Sequence, residues 1–223
     1  MILLLKLFYA LSILISAITA GWIPFKSRSG VTKTNLFPIF QALAAGIFLG
    51  VGLIHMLSDA NIEFSQAWPH NTYPIAYLLA GCVFLVLLYL EHLGRELNND
   101  SNEVSPLWVM IAVALLSIHS LLAGLALGMS GVLSSIVLFF GILGHKWAAA
   151  FALSVQINKS NLSLKTRLIY FSIFAIMTPI GIFFGSTLNH FFSDALLLKA
   201  IFMALAAGTF LYIGTLHGLS QAV

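Results

Sequence analysis

Charge is what this sequence has least of. Among 223 residues only 7 are acidic and 10 basic, 8% charged in all, where a soluble domain carries roughly 25%. Seventeen charges cannot clothe a surface in water when 60% of the side chains are apolar and the mean hydropathy is +1.02. The composition argues against a soluble enzyme, a nucleic-acid-binding protein and a disordered chain. Cysteine is nearly absent as well: Cys82 alone, inside an apolar run, leaves no intrachain disulfide and no Cys-x-x-Cys metal site. The class that remains is an integral membrane protein. It is expected to be all-α, because lipid gives backbone groups no partner outside a helix.

What is present is a series of seven long apolar runs, about 3–22, 36–58, 73–90, 106–129, 132–157, 168–190 and 196–219. Each is long enough, at about 20 residues, to span a bilayer as a helix, so 1–223 reads as a single transmembrane domain. The first run ends in the small residues expected of a signal-peptide cleavage site. Its basic residues follow it rather than precede it, however, so a retained helix is expected. Lys26, Arg28 and Lys33 lie between runs one and two, Arg95 between three and four, and Lys159, Lys165 and Arg167 between five and six. The alternate connections hold only Lys199, so the positive-inside rule places the N-terminus outside. Residues 94–105, the one markedly polar stretch, are expected to form a flexible cytoplasmic loop. The connection between runs four and five is barely a turn, which predicts antiparallel neighbours. Small residues at every fourth position (Ala42, Gly46 and Gly50; Gly124 and Gly128) predict close helix packing.

Ionisable residues at membrane depth are functional candidates by default. His119 and His145 are each the fourteenth residue of their run. At about 1.5 Å per residue both lie about 20 Å in, from opposite sides, near the middle of a core about 30 Å thick. Two imidazoles on adjoining helices predict a divalent-metal or proton site. Lys146 beside His145 needs a partner or a wet cavity. His55, Asp59 and Glu63 share a helical face near the far end of run two, a candidate cation funnel with His70, His190 and Asp194. A polar helix end meeting water explains Glu63, His70 and His190 better. Glu91, His92, Glu96 and His217, at the cytoplasmic side, are candidates for receiving a released ion, although a solvated helix end serves Glu91, His92 and Glu96 equally well.

At HSLLAGLALG (119–128) and GILGHKWAAAFALS (141–154) the chain resembles the fourth and fifth helices of the ZIP family of divalent-metal transporters. FLGVGLIHMLSDA (48–60), MTPIGIFFG (177–185) and AAGTFLYIGTLHGL (206–219) are similar to its second, sixth and seventh helices. The His-Ser and His-Lys pairs are nearest to the branch containing long-known animal zinc importers. The resemblance implies that His119 and His145 ligate the transported ion, and that Ser120 and Lys146 occupy the auxiliary position of binuclear relatives, leaving one metal per pathway. Three departures stand out. Ala123 and Ala149 occupy positions where relatives carry glutamates, and seven runs stand where eight are usual. Water, Ser120 or Gln156 then remains to complete a zinc shell of four.

The expected function is transport of a divalent cation, most of all zinc, into the cytoplasm through a mid-membrane histidine site. The ion is substrate, with no prosthetic group. The alternative is a degenerate relative that no longer transports and acts as a regulatory or dimerising partner. An intramembrane metal hydrolase lacks a carboxylate base in the last four runs, and no His-Glu-x-x-His occurs; a heptahelical receptor leaves the histidine pair unexplained. The expected partners are a divalent ion and the lipid bilayer, with no nucleic acid; the resemblance also allows a homodimer. Composition does not choose between plasma and organelle membranes.

Overall fold

A computed structural model describes residues 2–26, 37–96, 106–191 and 195–218. Each apolar run becomes helix: α1 Ile2–Lys26, α2 Phe37–Gly50, α3 Leu57–Ala67, α4 Ile75–Glu96, α5 Pro106–Met129, α6 Val132–Lys159, α7 Leu164–Phe191 and α8 Ala195–Tyr212. A π-helical turn, Val51–Met56, joins α2 and α3 into one rod, and a second, Ile213–Gly218, extends α8. Six of these rods are long and apolar enough to cross a membrane, and a shorter apolar helix, Ile75–Leu90, accompanies them. Apolar side chains such as Leu4, Ile54, Leu133 and Phe184 stand mostly exposed. Lipid tolerates such a surface and water does not.

Three expectations change. The second run was expected to end near Ser58, but helix continues to Ala67, so the face that His55, Asp59 and Glu63 share lies within one rod. The polar side chains do not end it because its backbone hydrogen bonds are indifferent to them. Of the expected loop 94–105, Gly94 to Glu96 continue α4, and 97–105 lie outside the described residues.

The third change concerns packing. α5 and α6, joined by the tight turn at Ser130–Gly131, do contact each other as expected, but α5 packs most extensively on α7, while α1 lies along α6 and α8 takes α3, α4 and α5. Glycine decides this. A Cβ at Gly124 would stand 3.0 Å from the Gly181 Cα, and one at Gly128 3.0 Å from the Gly185 Cα, so the two backbones touch. The Ala42-Gly46-Gly50 series behaves otherwise: a Cβ at Gly46 or Gly50 would meet nothing within 4 Å. The same spacing marks a helix contact in one place and open surface in the other.

The helix directions place the ends of α1, α4 and α6 and the starts of α2, α5 and α7 together, at what is here called the basic end. Lys6 on α1 donates to Gly128 O, satisfying a carbonyl that the C-terminus of α5 leaves without a helical partner.

Candidate metal centre

His119 on α5 and His145 on α6 come together in the buried middle of the bundle, ring centroids 5.7 Å apart and planes at 70°. Their exposures are 2% and 3%. Zinc bound at 2.0–2.1 Å sits roughly 3.2 Å from an imidazole centroid, and tetrahedral angles then separate two centroids by roughly 5.2 Å. The observed spacing suits a shared ion with little movement.

A third helix sets the chemistry of His119. The Thr209 hydroxyl on α8 donates its one proton to Ala206 O at 2.6 Å. It therefore accepts from Nδ1–H of His119, also at 2.6 Å, with Ala206 O 3.2 Å from the same nitrogen. The lone pair is left on Nε2, which is buried with no hydrogen-bond partner, as is Nδ1 of His145. A neutral ring anchored through one nitrogen and bare at the other is the form in which histidine binds metal. Phe210 stacks on His119 at 3.7 Å and meets His145 edge-on at 4.6 Å.

Lys146 and Ser120 turn to each other. The buried ammonium donates to Ser120 Oγ at 2.9 Å and to Phe174 O at 3.1 Å, and lies 3.6 Å from the centroid of the Phe174 ring. Two hydrogen bonds and a cation–π contact make a mid-bundle charge tolerable. Ala123 and Ala149 are both buried. Among the described residues no group of three or more His, Cys, Asp or Glu is placed to hold one ion.

His55 and Asp59 stand apart from the pair but lead toward it. His55 Nδ1 is 3.0 Å from Asp59 Oδ2. Its Nε2 is buried, without a hydrogen-bond partner, against Gly141, where an added Cβ would come within 3.0 Å of it. Gly141 is one turn of α6 from His145. Asp59 opens onto a cavity of about 300 Å³ at the end away from the basic loops, lined also by Glu63, Gln66, Ser134, Lys199 and Met203. Glu63 is ion-paired there with Lys199. On the basic side of the pair lies a second, narrow cavity of about 40 Å³, lined by Phe48, Ala112, Leu116, Ala149, Leu153, Gln156 and Tyr212 among others.

His70 sits in an exposed turn beside Trp68, Pro69 and Asn71, and His92 is exposed on α4. Asp194 and the side chains of Glu91, Glu96, His190 and His217 lie outside the described residues. Sequence reasoning missed Thr209, Phe210 and the Glu63–Lys199 pair. The available signals were a threonine inside the apolar segment MALAAGTFL (203–211) and an ammonium at the start of the same helix.

Residues 98–221 match the family model for the ZIP zinc transporter. Zinc transporter ZIP1 of Bos taurus is 32% identical over 235 residues, covering 87% of this chain and 72% of that one. Zinc transporter ZIP1 of Takifugu rubripes is 25% identical over 243 residues, 86% and 80% of the two chains. Zinc transporter 11 of Arabidopsis thaliana is 27% identical over 208 residues, 80% and 64%.

Proposed function

We propose that this chain, which belongs to the ZIP zinc transporter family, carries zinc into the cytoplasm through the His119–His145 centre. The family is one of transporters, not enzymes, and the chain is an integral membrane protein. The observation that carries the reading is the pair of buried imidazoles at 5.7 Å with orphaned ring nitrogens. The basic end is taken as cytoplasmic by the positive-inside rule. Zinc is then gathered by Asp59 and Glu63, handed over beside His55, and bound by His119 and His145, with water completing its shell. Ser120, held by Lys146, stands next to it, and release runs past Gln156 toward His217. Lys146 takes the place of a second ion, as in the branch whose His-Ser and His-Lys pairs this chain shares. The midplane position of the pair suits alternating access.

The test is ⁶⁵Zn uptake at matched surface expression. Uptake above background should fall at least about tenfold in His119→Ala and in His145→Ala, since each removes one of two imidazoles. A second reading is favoured by the lack of a third ligand among the described residues: a scaffold that no longer transports and serves as a regulatory partner. Its signature is a silent parent chain in which Ala123→Glu, one turn from His119, restores uptake.

A further inference from the structure

Phe210 is fully buried where three parts of the molecule meet. Its ring covers His119 face to face and His145 edge-on. On another side it lies 5.1 Å from the ring of Phe48, and Phe48 lines the cavity at the basic end. Tyr212 and Ile213, just beyond on the same helix, line that cavity too. The approach from the opposite cavity is different in kind: Asp59 and His55 carry polar atoms up to Gly141, one turn from His145. On the basic side the rings of Phe210 and Phe48 come next to the pair, with Gln156 in the wall of the cavity.

Both helices that meet at Phe210 carry a π-helical turn near it. Its Cβ faces Gly52, where an added Cβ would come within 3.1 Å of it, and Gly52 belongs to the π-helical turn between α2 and α3. The second π-helical segment starts at Ile213, and there a Cβ on Gly214 would stand 3.1 Å from Ala45 O. Helices bend at π turns, and here one lies on each of the two helices that meet at Phe210.

We infer that Phe210 is the gate between the histidine pair and the basic-end cavity, closed in this conformation. For an ion to leave toward that cavity the ring must slide off both imidazoles, by a side-chain rotation or by bending of α8 at its π segment. What passes the gate rests on the transport reading above; the gate itself is a matter of access, and its test uses no flux.

The test is thiol accessibility in a Cys82→Ala background carrying His145→Cys. A small water-soluble methanethiosulfonate is applied to the Lys159 end, in vesicles of defined orientation. With Phe210 in place the thiol should be protected. Phe210→Ala should raise its modification rate at least about tenfold, Phe210→Val by less, while Phe210→Leu should stay within about twofold of the parent, in line with the ring area removed. A cysteine at the exposed turn (Trp68→Cys), labelled from its own side, should react equally in all four, which checks folding. Equal rates at position 145 in parent and Phe210→Ala, or fast reaction in the parent, would overturn the gate. Zinc uptake is measured in parallel on chains with His145 intact. A protected thiol in a chain that carries no zinc removes the carrier reading and leaves the gate; uptake with an unprotected thiol does the reverse.

Discussion

The two cavities flanking the histidine pair are made of opposite materials. Away from the basic loops, Asp59, Glu63, Gln66, Ser134 and Lys199 share the wall of about 300 Å³ with Ile62, Val137, Leu138 and Met203. Toward them, apolar side chains such as Phe48, Leu116, Ala149 and Leu153 line about 40 Å³, with Gln156 and Tyr212 beside them. A cation is drawn into the first by charge. In the second it meets almost nothing that replaces its hydration shell. On the proposed route this asymmetry gives capture to the polar half and makes release the harder step, with Phe210 at the boundary.

The comparison breaks most sharply at Ala149. This residue is one turn beyond His145 and lines the dry cavity, so a carboxylate there shares a helical face with the imidazole. Ala149→Glu would make both halves polar and give the centre a third ligand. We expect subsaturating ⁶⁵Zn uptake to rise about tenfold, equivalent to about 1.4 kcal/mol. Unchanged uptake with normal surface expression would mean that the dry half does not limit transport. A smaller effect should follow from weakening the polar half. Asp59→Asn removes the charge beside His55 and should raise KM about fivefold with little change in maximal rate. The difference should shrink as ionic strength rises, because an exposed charge is screened. A fall in maximal rate with constant KM would place Asp59 in the moving parts instead.

Much of this architecture follows from apolar length alone: runs of about twenty residues must be helical in lipid, and each became a helix. What length does not carry is choice of neighbour. Gly46 with Gly50 and Gly124 with Gly128 have the same spacing, but only the second pair finds a facing glycine ridge, Gly181 with Gly185. That ridge lies on a helix more than fifty residues away. The candidate centre divides similarly. His119 and His145 stood out because an imidazole at membrane depth is expensive and therefore informative. Thr209 and Phe210 are ordinary residues in an apolar helix, and they matter only because α8 lies against α5. The bound of run two fell short at Ser58 because side-chain polarity was taken as the end of the span, although the helical face was followed to Glu63. Glu63 is sustained instead by Lys199, 136 residues further along the chain.

That ion pair is the finest test of the comparison. It ties α3 to α8 at the mouth of the polar cavity, and one oxygen, Oε2 of Glu63, has no hydrogen-bond partner. Two outcomes of Lys199→Met compete. Removing the ammonium from a dry pair would strand a carboxylate and destabilise the protein by about 3–5 kcal/mol. In a cavity wide enough for water the stranded charge is hydrated, and pairs in such surroundings are worth about 0–1 kcal/mol. Lys199 is 7% exposed, which points to the first case. The adjoining cavity of about 300 Å³ can admit water once the ammonium is gone, however, and the second case is expected. Lys199 then acts mainly as a competitor, holding a carboxylate that an arriving cation needs. Lys199→Met should therefore fold normally and lower the KM for zinc by about twofold, the effect of some 0.4 kcal/mol of lost competition. Loss of surface protein, or a raised KM, would show the pair to be a clasp between the helices rather than a rival for the ion. The polar half would then owe its capture to Asp59 alone.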